Sequence, residues 1–218
     1  MKRTPREWLL RVLILMIGLA IAHLGVTLFL LAELGSDPFN VMIQGLFRTL
    51  SGPLPFLTHG RVHVGVSLLI IVILAIVDRS YVKIGTVLCM VCGGPIIDLF
   101  TMLLAPLGIR AWGLPGRTGV LVAGCCVLAY GMTIVIKSDA GTGPNDLVAV
   151  IISDKLRRRF SLIRILVDLC FVLTGWLLGG TVGLGTVICA FLVGPVAGVF
   201  LPVNERLITR FLENAARK

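Results

Sequence analysis

Read for polarity alone, the chain is a series of apolar runs separated by short polar punctuation. Six runs, 12–32, 62–77, 84–109, 118–136, 160–178 and 181–203, approach the length that a helix needs to cross a bilayer. That length is about 20 residues for a hydrocarbon core of roughly 30 Å. Two shorter segments, 38–50 and 144–156, follow the first and fourth runs. In the former, Phe39, Met42, Ile43, Leu46, Phe47 and Leu50 recur on one helical face. At about 1.5 Å per residue such a segment covers roughly 20 Å, too little to cross, and both are predicted to be re-entrant or interfacial helices. Each follows a Gly/Pro turn, GSDP at 35–38 and GTGP at 141–144, that ends on proline at the first helical position. Asn40, Asn145 and Asp146 fall in the next turn. They are candidate gate residues for a polar solute, or caps on the short helices.

The pattern is used twice. GTVLCMVCGGPIIDLF (85–100) laid over GTVICAFLVGPVAGVF (185–200) gives seven identities in sixteen positions. Upstream, LGVTLFLLAELGSDPFN (24–40) lies over YGMTIVIKSDAGTGPND (130–146), with Gly25, Thr27, Gly35 and Pro38 matched by Gly131, Thr133, Gly141 and Pro144. The chain is a tandem duplication. Each half holds three long runs, an odd number, so the second half is expected to enter the membrane from the side opposite to the first. The expected fold is an all-α membrane protein of six transmembrane helices in two inverted three-span repeats, 8–109 and 116–204. A C-terminal amphipathic helix, 205–218, completes one integral membrane domain over 1–218.

Composition agrees. Of 218 residues 57% are hydrophobic, and the mean hydropathy is +1.01, outside the range of soluble domains. The formal charge of +9 does not imply nucleic acid once the basic residues are placed on the spans. With the N-terminus inside, only Arg48, Arg61, Arg110 and Arg117 of the twenty Lys and Arg lie outside, which predicts a bacterial inner-membrane protein with both termini cytoplasmic. Lys2, Arg3 and the Ala20-Ile21-Ala22 triplet resemble a signal peptide, but the apolar run continues to Ala32 and belongs to the repeat. All six cysteines fall inside spans, and Cys89 and Cys92 read as packing residues rather than metal or redox ligands. No cofactor and no metal are expected.

The Gly-Pro pairs Gly94-Pro95 and Gly194-Pro195 fall near mid-span and are expected to break their helices. A helix restarted at proline presents free N–H groups that favour an anion, and two-fold pseudosymmetry would bring two such ends together. Asp98 lies just past the first break, where its repeat partner is Gly198. An intramembrane carboxylate is costly unless paired, hydrated or protonated, so Asp98 is a candidate for substrate binding and proton coupling, against a structural role accepting backbone N–H groups. His23 and Asp168 are the other coupling candidates. Asp168 follows Arg164 by four residues, the spacing of a helical ion pair, and for His23 the commoner case is a histidine satisfied by a neighbouring helix. The candidate substrate-binding set is Gly94, Pro95, Asp98, Gly194, Pro195, Asn145, Asp146 and Asn40.

Together, GSDPFNVM, GTGPND, GTVLCMVCGGPIID and GTVICAFLVGP resemble the YczE-like family of bacterial membrane proteins, related more loosely to YitT-type proteins. The resemblance spans roughly 12–203. It implies a similar span pattern and suspected small-molecule transport, with no assigned substrate or binding residue. The expected function is transport of a small polar or zwitterionic metabolite, amino-acid-like or vitamin-like, with the bilayer and the solute as partners and a homodimer left open. A substrate-capturing subunit served by separate energising partners and a non-transporting scaffold are the rival readings. No nucleotide-binding loop, zinc-ligand spacing or nucleophile–base pair argues for an enzyme.

Overall fold

The computed structural model describes residues 4–158 and 160–216, and these form helices and turns with no strand among them. The helices are α1 (Pro5–Ala32), α2 (Pro38–Leu50), α3 (His59–Val77), α4 (Ile84–Leu104), α5 (Leu114–Ser138), α6 (Pro144–Leu156), α7 (Phe160–Leu177) and α8 (Leu184–Ala216). Five of them are long and apolar enough to cross a membrane: α1, α3, α4 with the turn that follows it, α5 and α8. The predicted short helices, 38–50 and 144–156, coincide with α2 and α6.

Local chemistry sets the boundaries. Thr4, Asp37 and Thr58 cap α1, α2 and α3, each accepting the N–H three residues on. Hydropathy alone starts α1 at 12, but the Thr4 cap, Pro5 and the Glu7–Arg11 pair at 2.9 Å carry it back to Pro5. The ends of α1 and α5 match: Glu33 (φ 50°) and Asp139 (φ 53°) are left-handed caps, followed by Gly35 (φ 114°) and Gly141 (φ 157°).

Two expectations are corrected. The helical backbone runs unbroken through Pro95 in α4 and through Pro195 and Pro202 in α8. Each proline removes one donor, and the ladder on either side is enough to hold the helix, so no restarted helix end forms at Gly94-Pro95 or Gly194-Pro195. The C-terminal segment is likewise no separate helix: α8 runs continuously to Ala216, with residues 217–218 outside the described residues.

At the centre α1 and α5 pack antiparallel through glycines. A Cβ on Gly25 would lie 2.5 Å from the Leu128 nitrogen and 2.6 Å from the Gly124 carbonyl, and one on Gly131 would lie 2.7 Å from the Gly18 carbonyl. Arginines close the two ends of this pair. Arg117, at the start of α5, donates to the Ala32 and Glu33 carbonyls at 2.7 and 3.0 Å; Arg11, at the start of α1, donates to the Ser138 carbonyl at 3.1 Å. The later helices cross over in the same reciprocal manner. Gly85, opening α4, donates to Ala140 at 3.1 Å, and Gly185, opening α8, donates to Leu34 at 2.7 Å. Helix α2 packs on α7, and α6 on α3. The bundle therefore has a first end, with the start of α1 and the ends of α3 and α5, and a second end, with the ends of α1 and α7.

Candidate functional site

One group of buried polar residues, Ser36, Asn40, His63 and Ser67 among them, belongs to the start of α2 and the facing side of α3. On α3, His59, His63 and Ser67 follow one another at four-residue spacing, on one face. Asn40 of α2 donates its amide N–H to Asp37 at 2.9 Å, leaving its carbonyl oxygen to accept from His59 Nε2 at 3.2 Å. His63 packs edge-on against Phe39, with ring centres 5.4 Å apart, and against His23 at 5.6 Å. His23 donates from Nδ1 to the Leu19 carbonyl at 2.9 Å. A Cβ on Gly93 of α4 would lie 2.8 Å from His23 Nε2 and 3.0 Å from His63 Cε1, so glycine there makes room for both rings.

The opposite wall is α7. Phe171 meets Phe39 with ring centres 5.5 Å apart. Arg164 donates from Nη1 to Asp146 of α6 at 2.5 Å and from Nε to Asp168 at 2.9 Å. Outside the spans, at the start of α2, burial raises the Asp37 carboxyl above the usual carboxylate range. Hydrogen bonds from Asn40 and Ser36 oppose that rise, and the negative charge of Asp168 adds to it. Buried side-chain atoms without a hydrogen-bond partner include His63 Nδ1, Ser67 Oγ and Asp168 Oδ1, on these two walls, and Thr86 Oγ1. A buried polar atom left unpaired is expensive, and two of these lie on α3 and one on α7.

The sequence-derived candidates divide. Asn40, Asp146, His23 and Asp168 belong to this centre, and Asn145 adjoins it, donating to Asp146 at 3.1 Å. Asp98 has a different post. Its Oδ2 accepts the Thr58 hydroxyl at 2.5 Å and its Oδ1 the Gly60 amide at 3.0 Å, so it caps the start of α3 from the flank of α4. Gly94 belongs to the same clasp, since a Cβ there would collide with the Gly60 carbonyl. Pro95, Gly194 and Pro195 are exposed on the outer surface of the bundle, and no neighbour lies within 4 Å of a Cβ built on Gly194. The structure therefore does not bring the two Gly-Pro pairs together.

The second apolar run begins at 62, so hydropathy leaves His59 outside it and gives His63 and Ser67, inside it, no separate weight. Their signal was a polar stripe at four-residue spacing in HGRVHVGVS. Among the described residues no three His, Cys, Asp or Glu side chains are placed to hold a metal ion.

Residues 9–202 match the model of a family of unknown function, DUF6198. The chain is 28% identical over 204 residues to the uncharacterized membrane protein YczE of Bacillus subtilis, covering 93% of this chain and 91% of that one. It is 27% identical over 202 residues to the uncharacterized protein YyaS of the same organism, covering 87% and 92%. An uncharacterized protein of Haemophilus influenzae is 28% identical over 198 residues, covering 89% and 84%. No solved structure matches the chain.

Proposed function

The chain belongs to the YczE-like family DUF6198, and from that premise we propose that it is a secondary transporter of a small polar metabolite. Its two halves, α1–α4 and α5–α8, are two inverted three-span repeats, with α7 as the sixth span. Inversion is supported by the antiparallel contact of α1 with α5, the first helix of each half, and by the exchanged bonds Gly85 to Ala140 and Gly185 to Leu34. In such folds the solute sits at the interface of the halves and is exposed to each side by rocking one against the other. The orientation we favour puts both termini in the cytoplasm of a bacterial cell. The first end then carries most of the positive charge, and the four arginines of the second end have local duties. Arg48 donates to the Gly179 carbonyl, Arg61 to that of Phe56, Arg117 caps α1, and Arg110 pairs with Glu33 at 2.7 Å.

One observation carries the reading. The short helices α2 and α6 start at the centre of the bundle, and the walls between them bear polar atoms with no partner of their own. A scaffold has no need of such atoms. For proton coupling the His23–His63 pair suits better than Asp98, whose two oxygens are already engaged in joining α3 to α4. The test is reconstitution of purified protein in liposomes, with uptake of labelled ethylamine, glycine, acetate and glucose. Saturable uptake of any of these above protein-free liposomes supports transport. Uptake of none, from protein that is folded and inserted, overturns it.

A further inference from the structure

Where α6 ends and α7 begins, at the first end of the bundle, the surface holds an open groove of about 410 Å³ lined by Leu156, Leu162, Ile163, Leu166 and Arg158. Leu156 is the last residue of α6, and Leu162, Ile163 and Leu166 fall in the first two turns of α7. Ile163 anchors the floor, buried in a cluster with Ala149 of α6 and Val167 of α7. Leu156, Leu162 and Leu166 are exposed, so the groove opens away from the bundle.

Arg158 is the polar member of this lining, and its backbone is pinned. Arg157, in the left-handed conformation (φ 50°), turns the chain out of α6. Arg158 then donates its N–H to the Ser153 carbonyl at 3.1 Å and accepts the Ser153 hydroxyl at 2.8 Å. Among the described residues neither Arg157 nor Arg158 forms an ion pair, whereas the neighbouring Lys155 is held by Asp78 at 3.6 Å. Further along α7, Ile165, Leu169, Leu173 and Trp176 are exposed. An apolar face of that length suits hydrocarbon rather than water. With it in the bilayer, Leu166 and Leu162 lead from the hydrocarbon toward Arg158 at the headgroups.

We propose that this groove binds one anionic phospholipid, an acyl chain lying along Leu162, Ile163 and Leu166 and the phosphate resting on the Arg158 guanidinium. The inference rests on α7 as the sixth span and not on transport, since the groove shares no residue with the polar centre. A guanidinium beside aliphatic side chains matches a ligand with a phosphate and a hydrocarbon tail. A free polar anion would leave the aliphatic side chains without a partner, and a lipid of no net charge would bring its own cation to Arg158.

The test titrates purified full-length protein in a neutral detergent with dioleoylphosphatidylglycerol, dioleoylphosphatidylcholine or glycerol phosphate, and counts bound molecules by native mass spectrometry. Phosphatidylglycerol should bind at a single preferred site, at least about fivefold more tightly than phosphatidylcholine, and glycerol phosphate should leave no adduct. Arg158→Gln should weaken phosphatidylglycerol about fivefold or more, and Arg158→Lys should retain most of the affinity. Arg157→Gln, outside the lining, should change it by no more than about twofold. Leu162→Trp fills the groove at an exposed position and should weaken binding as Arg158→Gln does. Size-exclusion elution checks the fold of each variant. Equal binding of the two lipids, or equal losses in Arg157→Gln and Arg158→Gln, would reduce the site to diffuse attraction of headgroups and overturn it. Retention of glycerol phosphate as tightly as the lipid overturns the acyl-chain groove, and binding unchanged in folded Arg158→Gln and Leu162→Trp overturns the location. Each of these failures leaves the transport reading standing, and absence of uptake in liposomes leaves the lipid site standing.

Discussion

Gly85 donates its amide proton to the carbonyl of Ala140, 3.1 Å away in the other half of the chain, and Gly185 and Leu34 repeat that bond at 2.7 Å. The bonds bring the starts of α4 and α8 so close to the opposing turns that the turns can carry no side chain. A Cβ on Gly141 would lie 2.5 Å from the Thr86 nitrogen, and one on Gly35 2.5 Å from Thr186 Oγ1 and 2.7 Å from the Thr186 nitrogen. Both glycines also have positive φ, where a side chain is strained.

Gly141→Ala and Gly35→Ala are therefore each expected to cost about 2–3 kcal/mol, the sum of backbone strain and forced separation of the halves. Thermal unfolding in detergent measures this. Gly119→Ala is the internal control, since a Cβ there meets nothing within 4 Å. It should leave stability unchanged or raise it by up to about 1 kcal/mol through helix propensity.

The Asp98 clasp has no counterpart in the second half, where the matching residue is Gly198 and a Cβ on it would meet only open space. Gly94→Ala should therefore destabilise the protein by about 1–3 kcal/mol as it pushes on the Gly60 carbonyl. Its repeat mate Gly194→Ala, whose Cβ meets nothing, should leave stability unchanged or raise it by up to about 1 kcal/mol, as at Gly119. Equal effects would mean that α4 and α8 are packed alike.

Asp98→Ala strands the Gly60 amide and the Thr58 hydroxyl, and the loss of a cap with a buried donor is expected to cost about 1–3 kcal/mol. If its role is confined to that, transport per folded molecule should keep its pH dependence in Asp98→Asn. Substitution of His63 by Gln should instead flatten the pH profile of uptake. A flattened profile in Asp98→Asn with His63→Gln unchanged would return coupling to the aspartate.

Much of the architecture could be read from the sequence because hydropathy, proline at helix starts and internal identity are local signals. GTV at 85–87 and 185–187 and the glycines at 35 and 141 stood out as repeated, and in the structure these motifs pack on one another across the halves. Their repetition goes with backbone packing of each turn on the opposite half. The Gly-Pro pairs misled for a related reason: glycine and proline signal what a helix can tolerate, and only the neighbours decide whether it bends. Gly94 is explained by Gly60, thirty-four residues away, a contact that no local pattern announces. The centre was half visible. Asn40, Asp146 and Asp168 could be marked from their surroundings, but the joining of Asp146 to Arg164, and of His59 to Asn40, depends on α6 meeting α7 and α3 meeting α2.

The proposed inversion of the two halves makes a prediction about sidedness that needs no substrate. Gly52 follows α2 at the second end, where Arg48 reaches the Gly179 carbonyl. Lys155 closes α6 at the first end, where it pairs with Asp78 at 3.6 Å. With the N-terminus inside, Gly52 faces the outside and Lys155 the cytoplasm, although both lie near the ends of equivalent short helices. Cysteine placed at Gly52 should react with a membrane-impermeant maleimide in cells whose outer barrier is open and inner membrane intact. Cysteine at Lys155 should react only after the inner membrane is breached. The exposed Cys170 is replaced by alanine in both variants, and the buried thiols Cys89, Cys125 and Cys189 stay in place. Labelling of both positions from the same side would mean that the halves run in parallel, and rocking about a shared central site would then have no structural basis.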